Sequence, residues 1–436
     1  MQQKLIVAAV AGALAAPGFA LAQSSAEVYG TVNMAFGQFK YADGSLARTA
    51  DGTARTTTAG LSKWDVANGA SNYGVRARES LGGGMSGWVQ IEQNAPLERS
   101  SNQAIKPASR NSAIGIEGNF GNFFMGQWTT PWADLDALWG VGTVGFWGPV
   151  TSIIGRRETT GTAPNYNCQN GDGATPGAAP GTPGKPICDA LQGGGGVGHA
   201  FWRRASNAVF YQSPVFSGFQ AKLAYQTNEG KAVGNATSTN ADAQMWSGSV
   251  QWAGMGGRAR IGAAYDRHKD FTTVGQSDTG WSVKGGFNFG VVDVGLAVES
   301  MTYKCGSQPF GAQPNLPGLC GGNGDIKARQ YGVALAAPIG AGSIRASYSI
   351  AKDLAGVVGA AGGTTFSDTG AKEYNIGYEH RFSKRTNIGV GYAKIDNKNN
   401  AQFTWTGAPP NQTGLSNTPV FGSDVSTFFV SMTHRF

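Results

Sequence analysis

The sequence predicts an all-β fold in which sixteen antiparallel strands close into a barrel that spans a membrane. Three observations support this prediction: a leader-like start, strands of about ten residues with alternating apolar and polar side chains, and connectors that are alternately short and long. A sheet that spans lipid must close, because hydrocarbon cannot hydrogen-bond the free edges of an open sheet. A β-sandwich is the soluble alternative, and a propeller is disfavoured because the sequence has no fixed period.

The composition excludes several other classes of protein. Of 436 residues, 67 are glycine, 11% are aromatic and only 14% are charged. The apolar share of 41% argues against disorder, and the absence of a Gly-X-Y period excludes collagen. Apolar runs of about 20 residues do not recur, so a bundle of membrane helices is excluded. The formal net charge of +7 comes without a dense run of Lys or Arg, so we predict no nucleic-acid partner.

The first segment predicts export from the cytoplasm. Residues 1–22 have a positive start at Lys4, an apolar stretch, and the small-x-small pattern Ala20-Leu21-Ala22 before Gln23. A buried helix at a soluble N-terminus is the alternative. We therefore expect a signal peptide at 1–22 and a barrel domain at 23–436, located in the outer membrane of a bacterial cell.

Strands are marked by side chains that alternate with a period of two, as they do when successive residues point to opposite faces. The segment 281–289 places four apolar side chains on one face: Trp281, Val283, Phe287 and Phe289. The segment 428–436 does the same with Phe428, Val430, Met432 and Phe436. Aromatic residues expected to include membrane-interface anchors are Trp246, Trp252, Tyr265, Tyr348, Tyr378 and Tyr392.

Connector length predicts one smooth end of the barrel and one end with large loops. The short connectors have tight-turn composition and are residues 81–84, 119–122, 254–257, 339–342 and 383–386. The long ones are about 40–70, 95–109, 129–204, 229–242, 268–277, 304–325, 354–370 and 397–423. The uncharged stretch 137–155 lies in the third of these. We predict an ordered loop there, because its glycines and Pro149 disfavour a helix.

Six segments carry a family likeness: AEVYGTVNMAFG (26–37), SNYGVRARESLGGGMSGWVQIEQN (71–94), SAIGIEGNFGNFFMGQW (112–128), RRASNAVFYQSPVFSGFQAKLAYQ (203–226), YEHRFSKRTNIGVGYAKIDN (378–397) and VSMTHRF (430–436). They resemble strands of general porins from Gram-negative bacteria, especially the betaproteobacterial type. The resemblance implies a sixteen-stranded barrel with short periplasmic turns, long extracellular loops and a third loop folded into the lumen. It also implies a homotrimer in outer-membrane lipid and lipopolysaccharide. The sequence departs from the family at Ser80, where an acidic residue commonly precedes the LGGG turn, and in its long third loop.

The alternation assigns most of the charged side chains on the strands to the lumen. A shift of one residue in the assignment of faces would place these charges in lipid, at a cost of about 2–4 kcal/mol for each Arg or Lys. The resemblance implies a constriction in which a basic wall faces an acidic third loop. Candidates are Arg76, Arg78 and Arg110 on the wall with Asp134 and Asp136 on the loop. Further lumen charges are Glu92, Lys222, Arg258, Arg260, Lys284 and Arg345.

The barrel and its resemblance to porins imply a water-filled channel for passive diffusion of small hydrophilic solutes and ions, and the net basic lumen predicts a preference for anions. One alternative is a channel selective for an organic anion or a sugar, and an aromatic ladder would favour the sugar. Trp88 on the lumen face and Trp139 and Trp147 in the third loop keep that alternative open. Another alternative is a barrel plugged by its loop, with a role as an adhesin or enzyme.

Cysteines and the C-terminus carry the remaining expectations. Cys168 with Cys188 and Cys305 with Cys320 are disulfide candidates, although nearest-neighbour pairing is one of three connectivities. Zinc is disfavoured by the absence of a C-x-x-C motif. The glycine motif at 193–198 follows no strand, and the four His residues are scattered, so we expect no enzyme, cofactor or metal. The terminal Phe436 resembles the signal that the barrel-assembly machinery recognises.

Overall fold

The computed structural model describes residues 25–42, 60–95, 97–98, 107–154, 201–227, 244–269, 276–305, 324–358, 364–365, 368–399, 401, 403–405 and 422–436. The signal peptide at 1–22, the glycine motif at 193–198, and Cys168, Cys188 and Cys320 lie outside these residues. The signal peptide and both disulfides therefore stay predictions, and Cys305 is the last residue of its strand.

The strands of the barrel wall are β1 (Ser25–Tyr41), β2 (Leu61–Asn68), β3 (Asn72–Gly82), β4 (Met85–Asn94), β5 (Ser112–Gly118), β6 (Gly121–Thr129), β7 (Arg204–Gln212), β8 (Phe219–Gln226), β9 (Gln244–Gly254), β10 (Ala259–Lys269), β11 (Ser277–Asn288), β12 (Asp293–Cys305), β13 (Gly324–Ile339), β14 (Gly342–Ala351), β17 (Ala371–Arg381), β18 (Thr386–Asn397) and β19 (Val425–Arg435). Outside the wall, β15 (Val357–Val358) pairs with β16 (Thr364–Thr365).

The wall closes because β1 pairs antiparallel both with β19 and with the strands that follow it. β2 and β3 pair with successive parts of β1, so together they form one wall strand with a break at 69–71. Counting this pair once gives the sixteen antiparallel strands that the sequence predicts, and no free edge remains among them. The predicted barrel is confirmed.

The break between β2 and β3 corrects one predicted boundary. The long connector expected at about 40–70 contains all of β2, because the chain returns to the wall at Leu61. Ala70 has a φ of 59°, which interrupts the pleat and hides the alternation. The break is fastened to β1, since the Gly69 amide and the Ser71 hydroxyl both donate hydrogen bonds to the Asn33 carbonyl.

Inner and outer faces alternate as the sequence predicts. On β19, Phe428 is 51% exposed to the outside, whereas Phe429 is fully buried on the inside. Many other large apolar side chains are exposed on the outer face, among them Val75, Ile114, Trp246, Tyr265, Val283 and Leu296. Because lipid takes the place of a core partner, this apolar outer band is expected of a membrane barrel.

The third loop leaves β6 and enters the barrel. It begins with a short helix, α1 (Pro131–Asp134), which Thr130 caps by accepting a hydrogen bond from the Ala133 amide. A 3₁₀ turn at Leu135–Leu138 follows, and the described loop continues to 154. Trp132 and Trp139 are buried against the inner wall, so a substantial part of the apolar core lies between this loop and the wall. No helix among the described residues is long and apolar enough to cross a membrane.

An arginine placed on the outer face, in the middle of a strand, should destabilise the barrel in lipid. Val283 lies in the middle of β11 on the outer face, so we expect Val283→Arg to lower the free energy of unfolding by about 2–4 kcal/mol. The control is Thr279→Arg, on the same face near the end of β11, with an expected loss of about 0–1 kcal/mol. Guanidinium unfolding in phospholipid vesicles measures both. Equal losses would contradict the assignment of the outer face to lipid.

Candidate functional site

The third loop is fastened to the inner wall by hydrogen bonds to its backbone. The Arg260 guanidinium on β10 donates to the Leu138 carbonyl at 2.6 Å, and Arg345 on β14 donates to the Thr143 carbonyl at 2.8 Å. The Asn375 amide group on β17 donates to the carbonyls of Gly142 at 3.0 Å and Trp147 at 2.9 Å. These side chains hold the loop across one side of the barrel interior.

The far part of the loop reaches β1. The Asn33 side-chain amide donates to the Gly145 carbonyl at 3.2 Å. In contrast, none of the described hydrogen bonds of the loop goes to β3, β4 or β5. The loop therefore divides the interior into a covered side, where it packs on the wall, and an uncovered side that contains β3–β5.

Both predicted acidic residues of the loop are paired with lysines of the wall. Asp134 accepts from the Lys222 ammonium on β8 at 2.9 Å, and Asp136 accepts from Lys284 on β11 at 2.6 Å. Lys284 is fully buried and also contacts the Glu299 carboxylate at 2.8 Å. Burial raises the pKa of Asp134 above its ordinary value, and the Lys222 charge opposes this rise. Each aspartate thus has a lysine partner where the loop meets the wall.

Asp136 has two further partners that fix its carboxylate. The Trp202 indole N–H donates to it at 2.6 Å, and the Trp139 indole N–H approaches at 3.4 Å. Two aromatic side chains of the loop thus share this carboxylate with Lys284. All three groups that contact the Asp136 carboxylate are hydrogen-bond donors. Two of them belong to the loop and one to the wall, so the carboxylate joins two parts of the loop to the wall.

The three predicted basic wall residues lie on the uncovered side, and each forms an ion pair within the wall. Arg76 pairs with Glu27, Arg78 with Glu117 and Arg110 with Glu92. The side chains of Arg76 and Arg78 remain 57% and 54% exposed, so they face the open interior. No described contact joins these arginines to Asp134 or Asp136, and a role for the five residues as one constriction stays a prediction.

The other predicted lumen charges also have partners. Arg260 contacts Asp293 at 2.7 Å, and Arg345 contacts Glu379 at 3.0 Å. Glu92 accepts from the Tyr29 hydroxyl at 3.0 Å in addition to its ion pair with Arg110. Arg258 donates to the Asn288 carbonyl at 2.9 Å beside the Phe287 ring.

Sequence reasoning missed several lumen carboxylates. Glu27 and Glu117 lie in alternating segments, so the same pattern that selected Arg76 could have found them. Glu373 is different. It is fully buried, accepts from the Trp405 indole N–H at 3.2 Å and is hydrogen-bonded to Ser152 of the third loop. Contacts between segments this far apart in sequence have no local signal.

Aromatic residues in the lumen form a cluster rather than a ladder. The Trp88 ring lies 5.4 Å from Phe124 and 5.7 Å from Trp128, and Phe124 stacks on Phe210 at 4.9 Å. Phe124 and Phe210 are buried. Trp139 and Trp147 of the third loop are also buried, so they offer no free face for stacking on a sugar. Among the described residues, no group of three or more His, Cys, Asp or Glu could hold a metal ion.

Comparisons with known proteins agree with this architecture. The sequence model of the family described as Gram-negative porin matches residues 7–400. Outer membrane porin protein 32 of Delftia acidovorans is 25% identical over 415 residues, covering 91% of this chain and 90% of that protein. The anion-selective porin from Comamonas acidovorans has a TM-score of 0.61 at 20% identity, covering 95% of this chain and 100% of its own. The trimer form of in-vitro folded OmpT from Vibrio cholerae has a TM-score of 0.54 at 14% identity, covering 95% and 99%.

Removal of the buried lysine should loosen the third loop. Lys284→Met leaves the carboxylates of Asp136 and Glu299 without their shared partner, so we expect a loss of about 3–5 kcal/mol in the free energy of unfolding. Current noise through the open channel should rise, because the loop is less firmly held. Denaturant unfolding and single-channel recording measure the two effects.

The matched control is Lys304→Met. Lys304 pairs with Asp325 at 2.6 Å, but both side chains are more than a third exposed. An exposed pair contributes about 0–1 kcal/mol, so this variant should unfold nearly as the native protein does and keep a quiet current. Similar losses in the two variants would show that Lys284 does not anchor the loop.

Proposed function

Because the chain belongs to the family of Gram-negative porins, we propose that its passive outer-membrane channel favours anions over cations. The barrel provides a path for small hydrophilic solutes and ions down their gradients, and nothing in this path needs a cofactor or a chemical step. A channel of this kind is a filter, and its selectivity follows from the charges that line it. We infer on the same ground that the chain is not an enzyme.

The observation that supports the anion preference is that both loop carboxylates are paired with lysines of the wall. Asp134 and Asp136 are held by Lys222 and Lys284 on the covered side, so both carboxylates already have a cationic partner in the protein. The exposed guanidinium groups of Arg76 and Arg78 face the uncovered side. A permeating anion therefore meets cationic donors on one wall and no free aspartate of the described loop on the other.

The relative from Comamonas acidovorans, described as an anion-selective porin, agrees with this proposal at the level of the fold. Selectivity for a sugar finds less support, since the lumen tryptophans of the third loop are buried. A substrate-selective channel for an organic anion would share the same charges, and competition experiments with such anions would separate it from a general anion filter.

Reversal potentials in a potassium chloride gradient test the anion preference. We expect the native protein to favour chloride, and cation preference would overturn the proposal. The variant Arg76→Gln/Arg78→Gln/Arg110→Gln removes the cationic partners of Glu27, Glu117 and Glu92, so its reversal potential should shift toward cations.

The control variant removes the same number of charges from the outer face. It is Arg267→Gln/Arg329→Gln/Lys372→Gln, three exposed cations that alternate with the buried inward residues Asp266, Gln330 and Glu373. Its reversal potential should remain near that of the native protein. An equal shift in both variants would show that overall charge, rather than the lumen wall, sets the selectivity.

We propose further that the protein is a homotrimer in outer-membrane lipid and lipopolysaccharide. The structural relative from Vibrio cholerae is described in a trimer form, and the apolar outer band here could pack against a second copy as well as against lipid. Phe436 lies on this outer face, 48% exposed, where the barrel-assembly machinery can reach a terminal aromatic side chain. Trimer association predicts conductance steps in groups of three. Conductance steps that do not come in groups of three, together with the mass of a monomer in detergent, would contradict the trimer.

A further inference from the structure

A polar recess lies at the short-turn end of the barrel, beneath the third loop. Its volume is about 530 Å³, within the range of small-ligand sites, which is about 300–1,000 Å³. The floor includes the turn between β17 and β18, with Ser383 and Lys384, and the roof includes Thr143 and Gly145 of the loop. The side walls come from β1, β14, β17, β18 and β19.

The recess has an excess of positive charge. Four cations line it: Arg345, Arg381, Lys384 and Arg435. Arg345 is compensated by Glu379 at 3.0 Å and holds the loop, but the other three cations form no ion pair with any described residue. Phe436 follows Arg435, and its carbonyl accepts a hydrogen bond from the Gly30 amide at 3.1 Å. Glu379 is the carboxylate among the lining residues, so the cations outnumber the carboxylates by four to one.

The register of the strands brings these cations together. Arg381 lies opposite Asn387 across β17 and β18, and Asn387 lies opposite Thr433 on β19. Arg435 is two residues beyond Thr433 on the same face and lies opposite Thr31 on β1. The cations therefore flank a row of hydroxyl and amide side chains that can donate hydrogen bonds to oxygen.

We propose that this recess is a binding site for a multivalent oxyanion, with inorganic phosphate as the simplest occupant. Three cations without a described partner around one recess exceed what a chloride ion can neutralise, whereas a divalent oxyanion offers several oxygens and more than one charge. The site deepens the proposed anion channel and rests on that function, since solutes reach it through the lumen. Its place at the short-turn end gives it access from the periplasmic side.

Channel recording with phosphate tests the site. Native protein in a planar bilayer, in chloride at constant ionic strength and pH 7.5, is titrated with phosphate added to one side at a time. We expect a saturable decrease in chloride conductance that needs less phosphate from the periplasmic side. In Arg381→Gln/Lys384→Gln/Arg435→Gln, the half-blocking concentration should rise by about tenfold or more, equal to about 1.4 kcal/mol.

The outer-face variant Arg267→Gln/Arg329→Gln/Lys372→Gln is the matched control, since it also removes two arginines and one lysine. Its half-blocking concentration should equal that of the native protein. The single variant Lys384→Gln, on an exposed turn, serves if the triple variant fails to fold, and it should weaken the block by about twofold, which is one third of the triple variant's effect in free energy.

Three results would overturn the site: a linear effect of phosphate without saturation, a block that survives the loss of the recess cations, or equal weakening in the outer-face control. Failure of the site is distinguishable from failure of the proposed function. The reversal potential in chloride alone, without phosphate, reports the anion preference and does not depend on a bound oxyanion.

Discussion

The interior of this barrel depends on one buried contact, in which Lys284 joins Asp136 of the third loop to Glu299 of the wall. A fully buried ammonium group is costly unless each of its protons finds an acceptor. Here two carboxylates accept from it within 2.8 Å, and the Trp202 indole N–H donates a further hydrogen bond that holds Asp136 in place. If the loop moved away from the wall, Lys284 and Glu299 would keep each other, but Asp136 would lose its cation. The contact therefore favours one position of the loop.

That position makes the lumen electrically asymmetric. The loop carries its carboxylates to the side of the barrel that supplies lysines, and it leaves the arginines of β3, together with Arg110 just before β5, on the opposite side. Each arginine still has a glutamate neighbour, so the wall is not simply positive. Its guanidinium groups have donors left over, however, because a single carboxylate contact occupies only part of a group with five N–H bonds. Water-exposed donors of this kind attract anions without holding them for long.

Sequence alternation predicted the barrel and its two faces because burial inside a barrel repeats every second residue. It could not predict the break at 69–71, where a positive φ at Ala70 interrupts that repeat. The resemblance to porins implied that Asp134 and Asp136 belong to an inward loop, yet it gave no means of choosing their partners among Lys222, Lys284 and the arginines. That choice depends on where a long loop crosses the lumen, which is set by contacts such as Asn375 with Gly142 across more than two hundred residues.

The high glycine content has a second cause besides tight turns. Under the third loop the inner wall lacks side chains at the places where the loop backbone comes closest. A Cβ atom on Gly295 would lie 2.0 Å from the Trp139 carbonyl oxygen, and one on Gly332 would lie 2.7 Å from the Trp139 ring. Neither clash can be relieved easily, because the backbone of β12 is fixed by the ladder and Trp139 is buried. Glycines in the middle of strands thus weaken the local propensity for β structure, but they let the loop lie flat enough for Asp136 to reach Lys284.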